Sequence, residues 1–465
     1  MAKIASIHDL ESKKMSSLIW QYALPAIIGT SVNALYNIVD RYFIGNAPNL
    51  SDNAMTAIGL ALPIMTIITA IGMLVGAGSA SRISIFMGQG DKKSAEKILG
   101  NALLLQISIT VPVVIFLMIF LTPILNKLGA SGETFYYAHE FLIFLLPGCI
   151  LSTIMFGFNN MMRASGYPEK AMYTMILTVV INVILAPLFI YVFEWGMMGA
   201  ALATIISMFV GMCFVLQHFL NRTSNLSLKT ENIRFEWRIV KSILGIGMSP
   251  FLIQLVASTV SFTIIHQLQQ YGGETAVAAY TIMNTLVMLV IMVITGLTQG
   301  MQPIVGYNYG AKNMGRVKEA LLYTIKVGII FGAIGFVIGV FIPDLIVKPF
   351  NPQEALAIAS SKALKITTLM LPLVGFQIVV TSFFQSLGMV KKSIFLSLSR
   401  QLLFFIPGLI FLPQIWGLNG VWSAFPISDF LATVITGILF TLQLKYFKQE
   451  EANNILSVTH NNIES

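Results

Sequence analysis

Long apolar runs alternate with short polar connections along almost the whole chain. About twelve runs are long enough to predict helices of roughly 20 mostly apolar residues, the length that crosses a bilayer. The first run follows a polar, charged segment and is itself long enough to span, so we interpret it as a membrane helix and not as a cleavable signal peptide. The runs begin near Leu18, Met55, Ile98, Tyr136, Ala171, Met197, Ile243, Val277, Ala320, Ala363, Ser393 and Leu418.

The composition supports a lipid environment. Hydrophobic residues make up 56% of the 465 residues and charged residues only 10%, whereas about a quarter of a soluble domain is charged. The net charge of +8 does not indicate a nucleic-acid partner, because Lys and Arg lie in short connections and form no continuous stripe. We therefore expect the lipid bilayer, and no nucleic acid, as the surroundings of the chain.

Basic residues gather in every second connection, which predicts the direction of each helix. One set of connections, together with both terminal segments, holds most of the Lys and Arg residues. Because basic connections stay on the cytoplasmic side, both termini are predicted to be cytoplasmic. The other set holds little beyond Arg41, Lys127, Lys348, Lys362 and Lys365.

The chain repeats itself with a period of roughly 220 residues, as parallel structural repeats do. Each half has six runs, an even number, so both halves enter the membrane from the same side and are related by an axis along the membrane normal. The corresponding positions are Pro25 and Pro250, Leu146-Pro147 and Leu371-Pro372, and Trp195-Gly-Met-Met-Gly199 and Trp416-Gly-Leu-Asn-Gly420.

These patterns predict an all-α integral membrane fold of twelve transmembrane helices in two six-helix lobes with pseudo-two-fold symmetry. Two bundles around a shared cleft are the usual architecture for alternating access. The predicted organisation is a cytoplasmic N-terminal segment at 1–17, an N-lobe at 18–220, a basic cytoplasmic linker at 221–242, a C-lobe at 243–445 and a cytoplasmic tail at 446–465.

Asp40 is the strongest candidate for chemistry, since an ionisable residue inside a span is costly and marks function by default. Asn33, Tyr36, Asn37 and Asp40 follow the spacing i, i+3, i+4, i+7, which places them on one helix face. A carboxylate with amide and phenol neighbours can bind a proton or Na⁺. The alternative is an interfacial ion pair with Arg41, but adjacent helix residues point about 100° apart.

Further polar residues in the spans are candidates for a pocket around Asp40. Span four carries Asn159 and Asn160, and span five carries Thr178 and Asn182. The alternative for all of them is interhelical hydrogen bonding, which is worth about 1 kcal/mol per bond. Span seven presents a polar face without a carboxylate, so ion coupling is expected mainly in the N-terminal half; this face consists of Gln254, Ser258 and Ser261.

Two opposite charges lie inside apolar runs of the second half. Arg400 and Asp429 can neutralise each other, and we favour a structural ion pair over substrate binding. The five histidines are scattered and the two cysteines form no CxxC, so we expect no metal site.

The motifs resemble one family when taken in order. The run Asn33-Ala-Leu-Tyr-Asn-Ile-Val-Asp40, followed by Phe43-Ile-Gly45, resembles the first-helix motif of multidrug and toxic compound extrusion (MATE) transporters. The resemblance covers nearly the whole chain and points to the MepA-like bacterial branch. Its other segments are Asn160-Met-Met-Arg163-Ala-Ser-Gly166, Asn182-Val-Ile-Leu-Ala186-Pro187, Trp195-Gly-Met-Met-Gly199-Ala-Ala-Leu-Ala203, Arg400-Gln401 and Phe425-Pro-Ile-Ser-Asp429.

The resemblance implies a multidrug efflux antiporter of a bacterial inner membrane. Small lipophilic cations would leave in exchange for H⁺ or Na⁺, without enzymatic activity and without a cofactor beyond the coupling ion, and the protein would be a monomer. Asp40 would be the ion-coupling residue, supported by Asn159 or Asn160 and by Asn182.

The chain also departs from the family pattern. Many relatives carry an Asp where this chain has Ala186, and some carry acidic residues in spans seven and ten, where this chain has Gln254 and Gln377. We expect both glutamines to line the cavity. The smaller number of carboxylates favours proton coupling over Na⁺ coordination.

Two other classes of function remain as alternatives. A flippase or exporter of a lipid-linked or metabolite substrate would need a cationic cavity, and the spans hold few basic residues, namely Arg82, Lys326 and Arg400. An intramembrane enzyme is disfavoured, because the sequence has no HExxH, no GxSxG and no paired aspartates in apolar runs.

Overall fold

A computed structural model describes residues 7–47, 50–51, 53–221, 224–350 and 352–461, with the side chains of 7–9, 36–37, 448 and 450–461 left undescribed. Nearly all of the described chain is helical, as the apolar runs predict. The helices are α1 (Ile7–Ser12), α2 (Met15–Gly45), α3 (Asn53–Gly88), α4 (Lys92–Ile119), α5 (Leu121–Lys127), α6 (Gly132–Ala164), α7 (Pro168–Pro187), α8 (Gly196–Leu220), α9 (Trp237–Gly310), α10 (Met314–Phe341), α11 (Asp344–Val347), α12 (Glu354–Thr367), α13 (Leu371–Ser386), α14 (Val390–Leu398), α15 (Ile406–Trp416) and α16 (Leu418–Asn461).

The number of membrane helices follows from two bends. Within the described ranges, ten continuous helical segments are long and apolar enough to cross a bilayer, and α12 with α13 forms another, bent by 52°. The long α9 contains two helices joined at Gly273, whose φ of 64° favours glycine. Counting α9 as two helices gives the twelve that the sequence predicts.

Two of the membrane segments contain a π-helical turn. Leu188–Val192 continues α7 beyond Pro187, and Ser399–Phe405 joins α14 to α15. Such turns are rare and occur frequently at functional sites. Arg400 lies in the second of them.

The chain divides into two compact units, Met1–Ser258 and Thr259–Ser465. In the first unit, α3, α6 and α8 share an apolar core of mostly Ala, Ile and Leu side chains. Small residues bring α3 and α6 together: Gly72 faces Thr153 and Gly76 faces Gly157, with the same four-residue spacing on both helices.

The beginning of α9 packs within the first unit. A side chain at Gly247 would collide with the backbone carbonyl of Leu74 on α3, and one at Gly78 would collide with that of Ile243. These glycines allow the backbones of α3 and α9 to touch. Residues up to Ser258 therefore pack with the first unit, whereas the repeat places those from 243 onward in the C-lobe.

The segment before α9 is fixed to α4. Glu96 is buried; its Oε1 accepts hydrogen bonds from the Ser227 hydroxyl at 3.0 Å and backbone amide at 3.3 Å, and its Oε2 lies 2.7 Å from Lys229 Nζ. Asn101 Oδ1 accepts a bond from the Glu236 amide at 2.8 Å. The middle of the predicted linker is therefore docked on the first unit over residues 227–236.

In the second unit, small residues likewise allow two helices to pack closely. Gly328 of α10 packs against the backbone of Gly375 on α13, and Gly332 packs against the carbonyl of Leu371. Close approach of helices through glycine is a common source of packing in lipid, where apolar burial alone does not drive association.

Candidate functional site

The α2–α7 helix pair carries the predicted ion-coupling residue. Midway along α2, Gly29 packs on Met175 of α7. Near their ends the Tyr191 hydroxyl donates a 2.7 Å hydrogen bond to the carbonyl of Phe43. The two helices therefore run parallel, and Asp40 lies on α2 between these two contacts.

One carboxylate oxygen of Asp40 is unsatisfied within the described residues. Its Oδ1 is buried and has no hydrogen-bond partner among the described residues. Within the same part of the chain it makes no ion pair with Arg41, whose side chain is exposed, which agrees with their divergent directions on the helix. A buried carboxylate oxygen without a partner is costly when charged, so the group is suited to taking up a proton or a cation.

The rest of the predicted stripe on α2 is described only in part. Asn33 is half-buried on the same helix. The side chains of Tyr36 and Asn37 lie outside the described residues. The phenol and amide that the spacing places beside Asp40 therefore stay predictions.

Asn182 lies on α7 between Met175 and Tyr191, in the same stretch of the helix pair as Asp40. It is buried, and its Nδ2 donates a 3.2 Å hydrogen bond to Thr204 Oγ1 of α8. Thr178 is also buried and donates to the carbonyl of Met175 in its own helix, at 2.8 Å. Asn182 thus connects α7 to α8, and Thr178 makes a local bond.

The two asparagines of α6 have different surroundings. Asn159 is buried, and its Nδ2 donates a 2.7 Å bond to the carbonyl of Ala171 on α7, while its buried Oδ1 has no hydrogen-bond partner among the described residues. Asn160 donates to the carbonyl of Phe156 and accepts from Arg163 Nη2 at 2.6 Å. Asn159 therefore joins α6 to α7 and keeps a free acceptor, whereas the Asn160 amide is occupied within α6.

The polar face of α9 is less enclosed. Gln254 is half-buried, and Ser258 and Ser261 are exposed in the structure. No described contact brings them to Asp40, so their predicted place in a cavity lining stays a prediction.

A second polar cluster lies in the second unit. Arg400 Nε donates to Asp429 Oδ1 at 2.6 Å, and the Asp429 side chain is only 4% exposed. Gln377, expected in the cavity lining, is buried, and its Nε2 donates 2.5 Å bonds to the Asp429 carbonyl and to Thr433 Oγ1. The structure thus contains the ion pair that the sequence suggested, and it places Gln377 against the main chain of Asp429.

Sequence reasoning missed the partners that hold these residues. Thr204, Thr433 and Glu96 appear in no motif considered above, because each acts on a residue far away in the chain. The only signal was polarity inside an apolar run, which many threonines share. Over the described ranges, no group of three or more His, Cys, Asp or Glu side chains is placed to hold a metal ion.

Comparison with known proteins identifies the family. The MatE family model matches residues 25–188 and again 250–410. The two matches begin at the prolines that the repeat pairs, so the internal duplication is confirmed.

A curated relative and two solved structures align over nearly the whole chain. The "Multidrug export protein MepA" of Staphylococcus aureus (strain N315) is 28% identical over 445 residues, covering 95% of this chain and 97% of that protein. The structure titled "Outward-facing conformation of a multidrug resistance MATE family transporter of the MOP superfamily" has a TM-score of 0.89 at 26% identity, covering 96% and 99%.

The second structure is a MOP superfamily transporter from Pyrococcus furiosus, whose title reports reverse polarity of the binding pocket and suggests a different function. It has a TM-score of 0.88 at 27% identity, with 96% of this chain and 99% of that chain covered. These likenesses confirm the all-α membrane fold of twelve helices. Because the family model matches well over half of the residues, in two successive copies, the chain belongs to the MatE family of multi-pass membrane transporters.

Proposed function

We propose that this transporter is a secondary multidrug exporter that moves small lipophilic cations outward in exchange for protons. The observation that carries the proposal is the Asp40 carboxylate, which lies inside a membrane helix with a buried oxygen that has no partner among the described residues. The similarity to the S. aureus MepA protein, named a multidrug export protein, supports the substrate class.

A single carboxylate can couple two fluxes by competition. When Asp40 is charged, it attracts a cationic substrate into the apolar interior; when it takes up a proton, the attraction is lost and the substrate leaves. Because substrate and proton cannot both occupy the group, export of one is linked to import of the other. Alternating access of the two lobes would then expose Asp40 to each side in turn.

Na⁺ remains the second candidate for the coupling ion. Na⁺ binding calls for several hard oxygen ligands around one point, as hard cations generally do. Among the asparagines considered with Asp40, Asn159 offers one neutral oxygen ligand, its buried Oδ1, which has no partner in the described residues. Asp40 is the only acidic residue in the sequence of α2. A single carboxylate suits a proton better, and we propose H⁺.

The proposed setting is the inner membrane of a bacterium, with both termini in the cytoplasm and the monomer as the working unit. The support is the alternation of basic and non-basic connections and the bacterial source of the MepA relative. Modification of single introduced cysteines in the connections by a membrane-impermeant reagent tests this orientation.

The decisive experiment uses purified protein in liposomes loaded with a fluorescent organic cation. A pH gradient and a Na⁺ gradient are imposed separately, and movement of the dye is followed. Movement driven by the pH gradient alone supports the proposal. Movement driven only by Na⁺ changes the ion, and movement driven by neither contradicts antiport of cations.

The Asp40→Asn variant tests the site itself. It should abolish gradient-driven export while the protein stays folded, because the amide can neither take up the proton nor attract the cation by charge. Glu140→Gln is the matched control, since it removes a half-buried carboxylate from another membrane helix of the same unit, α6, and should retain export. Coupled export by Asp40→Asn would refute the assignment.

A second candidate is export of a lipid-linked or metabolite substrate. It is favoured by one observation: the chain is as similar to the P. furiosus transporter of reversed pocket polarity as to the multidrug transporter. If the cation does not move under either gradient in the same liposomes but an anionic substrate does, the result selects this candidate.

A further inference from the structure

The connections that carry few basic residues do not spread them evenly. Of their five basic residues, three lie within one short stretch of the second unit, namely Lys348, Lys362 and Lys365. This stretch contains α11 and α12 and precedes the apolar helix α13. Positive charge is therefore concentrated where the loop-charge pattern leads one to expect little.

The same stretch forms a surface pocket of about 420 Å³. Four of its residues on α12 follow the spacing i, i+3, i+4, i+7 and share one face of the helix. The opposite face, with Ser360, Ala363 and Leu364, is buried. The pocket is lined by Asp344 of α11 and by Ala357, Ile358, Ser361, Lys362 and Lys365 of α12.

The pocket lies where a polar segment of the sequence adjoins an apolar one. Lys362 and Lys365 occupy the last turns of α12, directly before the apolar residues that lead into α13. Large apolar side chains nearby are exposed: Phe341 to 69%, Leu345 to 59% and Ile358 to 63%. Lysines at such a level direct their ammonium groups to lipid headgroups while their stems lie along apolar surface.

The charges around the pocket do not cancel. Lys348 lies 3.5 Å from Asp344, and both are largely exposed, so this pair balances one charge with little stabilisation. Lys362 and Lys365 form no ion pair within the described residues. Glu354 begins α12 one turn before Ile358 and lies outside the lining. The pocket thus has a positive end formed by two free lysines.

We propose that this pocket binds the phosphodiester headgroup of an anionic membrane glycerophospholipid. Lys362 and Lys365 bind the phosphate, the Ser361 hydroxyl donates to it, and Asp344 accepts from a headgroup hydroxyl. The acyl chains lie along Leu345 and Ile358. A free phosphate would share the charged contacts but would leave these apolar side chains uncovered, so the lipid is the better match. The proposal is independent of the ion and the substrate of export.

The test measures lipid binding to the purified full chain in detergent. Phosphatidylglycerol is titrated against phosphatidylcholine of the same chain length, and retained lipid is counted by native mass spectrometry. The double variant Lys362→Gln/Lys365→Gln should bind phosphatidylglycerol about 30-fold more weakly, as expected for two lysines at an anionic headgroup. The control Lys127→Gln removes a lysine of the same set of connections in the other unit and should bind like the parent.

Two results would overturn the proposal. The first is equal preference for phosphatidylglycerol in the parent and the double variant, with unchanged helical circular dichroism showing that both are folded. The second is complete displacement of the lipid by soluble glycerol phosphate at millimolar concentration, which would assign the pocket to a free phosphate ester.

Discussion

In the second unit, substitution of the Arg400–Asp429 ion pair distinguishes a structural role from a role in substrate binding. Asp429 is almost fully buried, while the Arg400 side chain is 31% exposed. Arg400→Met keeps the apolar stem of the side chain and removes the guanidinium. It leaves the Asp429 carboxylate buried without its 2.6 Å partner.

The two single variants should lower the free energy of unfolding by different amounts. Removing one partner of a buried ion pair costs about 3–5 kcal/mol. We take about 3 kcal/mol for Arg400→Met, because Arg400 itself is only partly enclosed. Asp429→Asn should cost about 1 kcal/mol, since the remaining guanidinium reaches the exterior and keeps a neutral acceptor. The double variant should cost less than the sum, by roughly 1–2 kcal/mol of coupling.

The assay is thermal unfolding in one detergent at one scan rate, followed by transport with equal amounts of folded protein. A loss of about 3 kcal/mol corresponds to a Tm lower by roughly 6–12 °C for a cooperative unit of this size. If the pair is structural, the double variant regains part of this loss and retains export per folded molecule.

One pattern would refute this reasoning. If Arg400→Met unfolds at the parent temperature but no longer exports, then Arg400 contacts the substrate and does not stabilise the fold. Loss of export in a double variant that has regained stability would lead to the same conclusion.

Two further predictions concern the first unit. Glu96→Ala should lower the free energy of unfolding by about 3 kcal/mol, because two hydrogen bonds from Ser227 to a charged acceptor are lost. Trypsin should then cleave this variant at Lys229 faster than it cleaves Glu96→Gln. Equal cleavage rates in the two variants would contradict the docking of this segment on α4. Asp91→Ala should cost about 1 kcal/mol of stability at neutral pH, because Asp91 caps α4 through the Ser94 amide. Ser94 lowers the pKa of Asp91 below 3.8, so this contribution is present above that pH and is lost as the pH falls through the lowered pKa. Comparison of Tm values at neutral and acid pH, with Asp91→Asn as the uncharged cap, checks it.

The number of membrane helices followed from the sequence alone. In lipid a chain has to satisfy its own backbone hydrogen bonds, so an apolar run of about 20 residues has essentially one solution, a helix. The repeat was readable for a similar reason, because proline and glycine at matching positions fix local backbone geometry. Asp40 stood out because a carboxylate inside an apolar run is rare.

The contacts of the candidate residues were decided by the tertiary structure. Asn182 bonds to Thr204, Gln377 bonds to Thr433, and Glu96 holds a segment more than a hundred residues away. These pairings depend on the rotation of each helix about its axis and on close approach at glycines, neither of which hydropathy encodes. The pocket lined by Lys362 and Lys365 likewise forms only where α11 packs beside α12. The sequence by itself determined which segments lie in the membrane and which group is costly to bury there; only packing decided which side chains meet, because a hydrogen bond requires two groups within about 3 Å and in line.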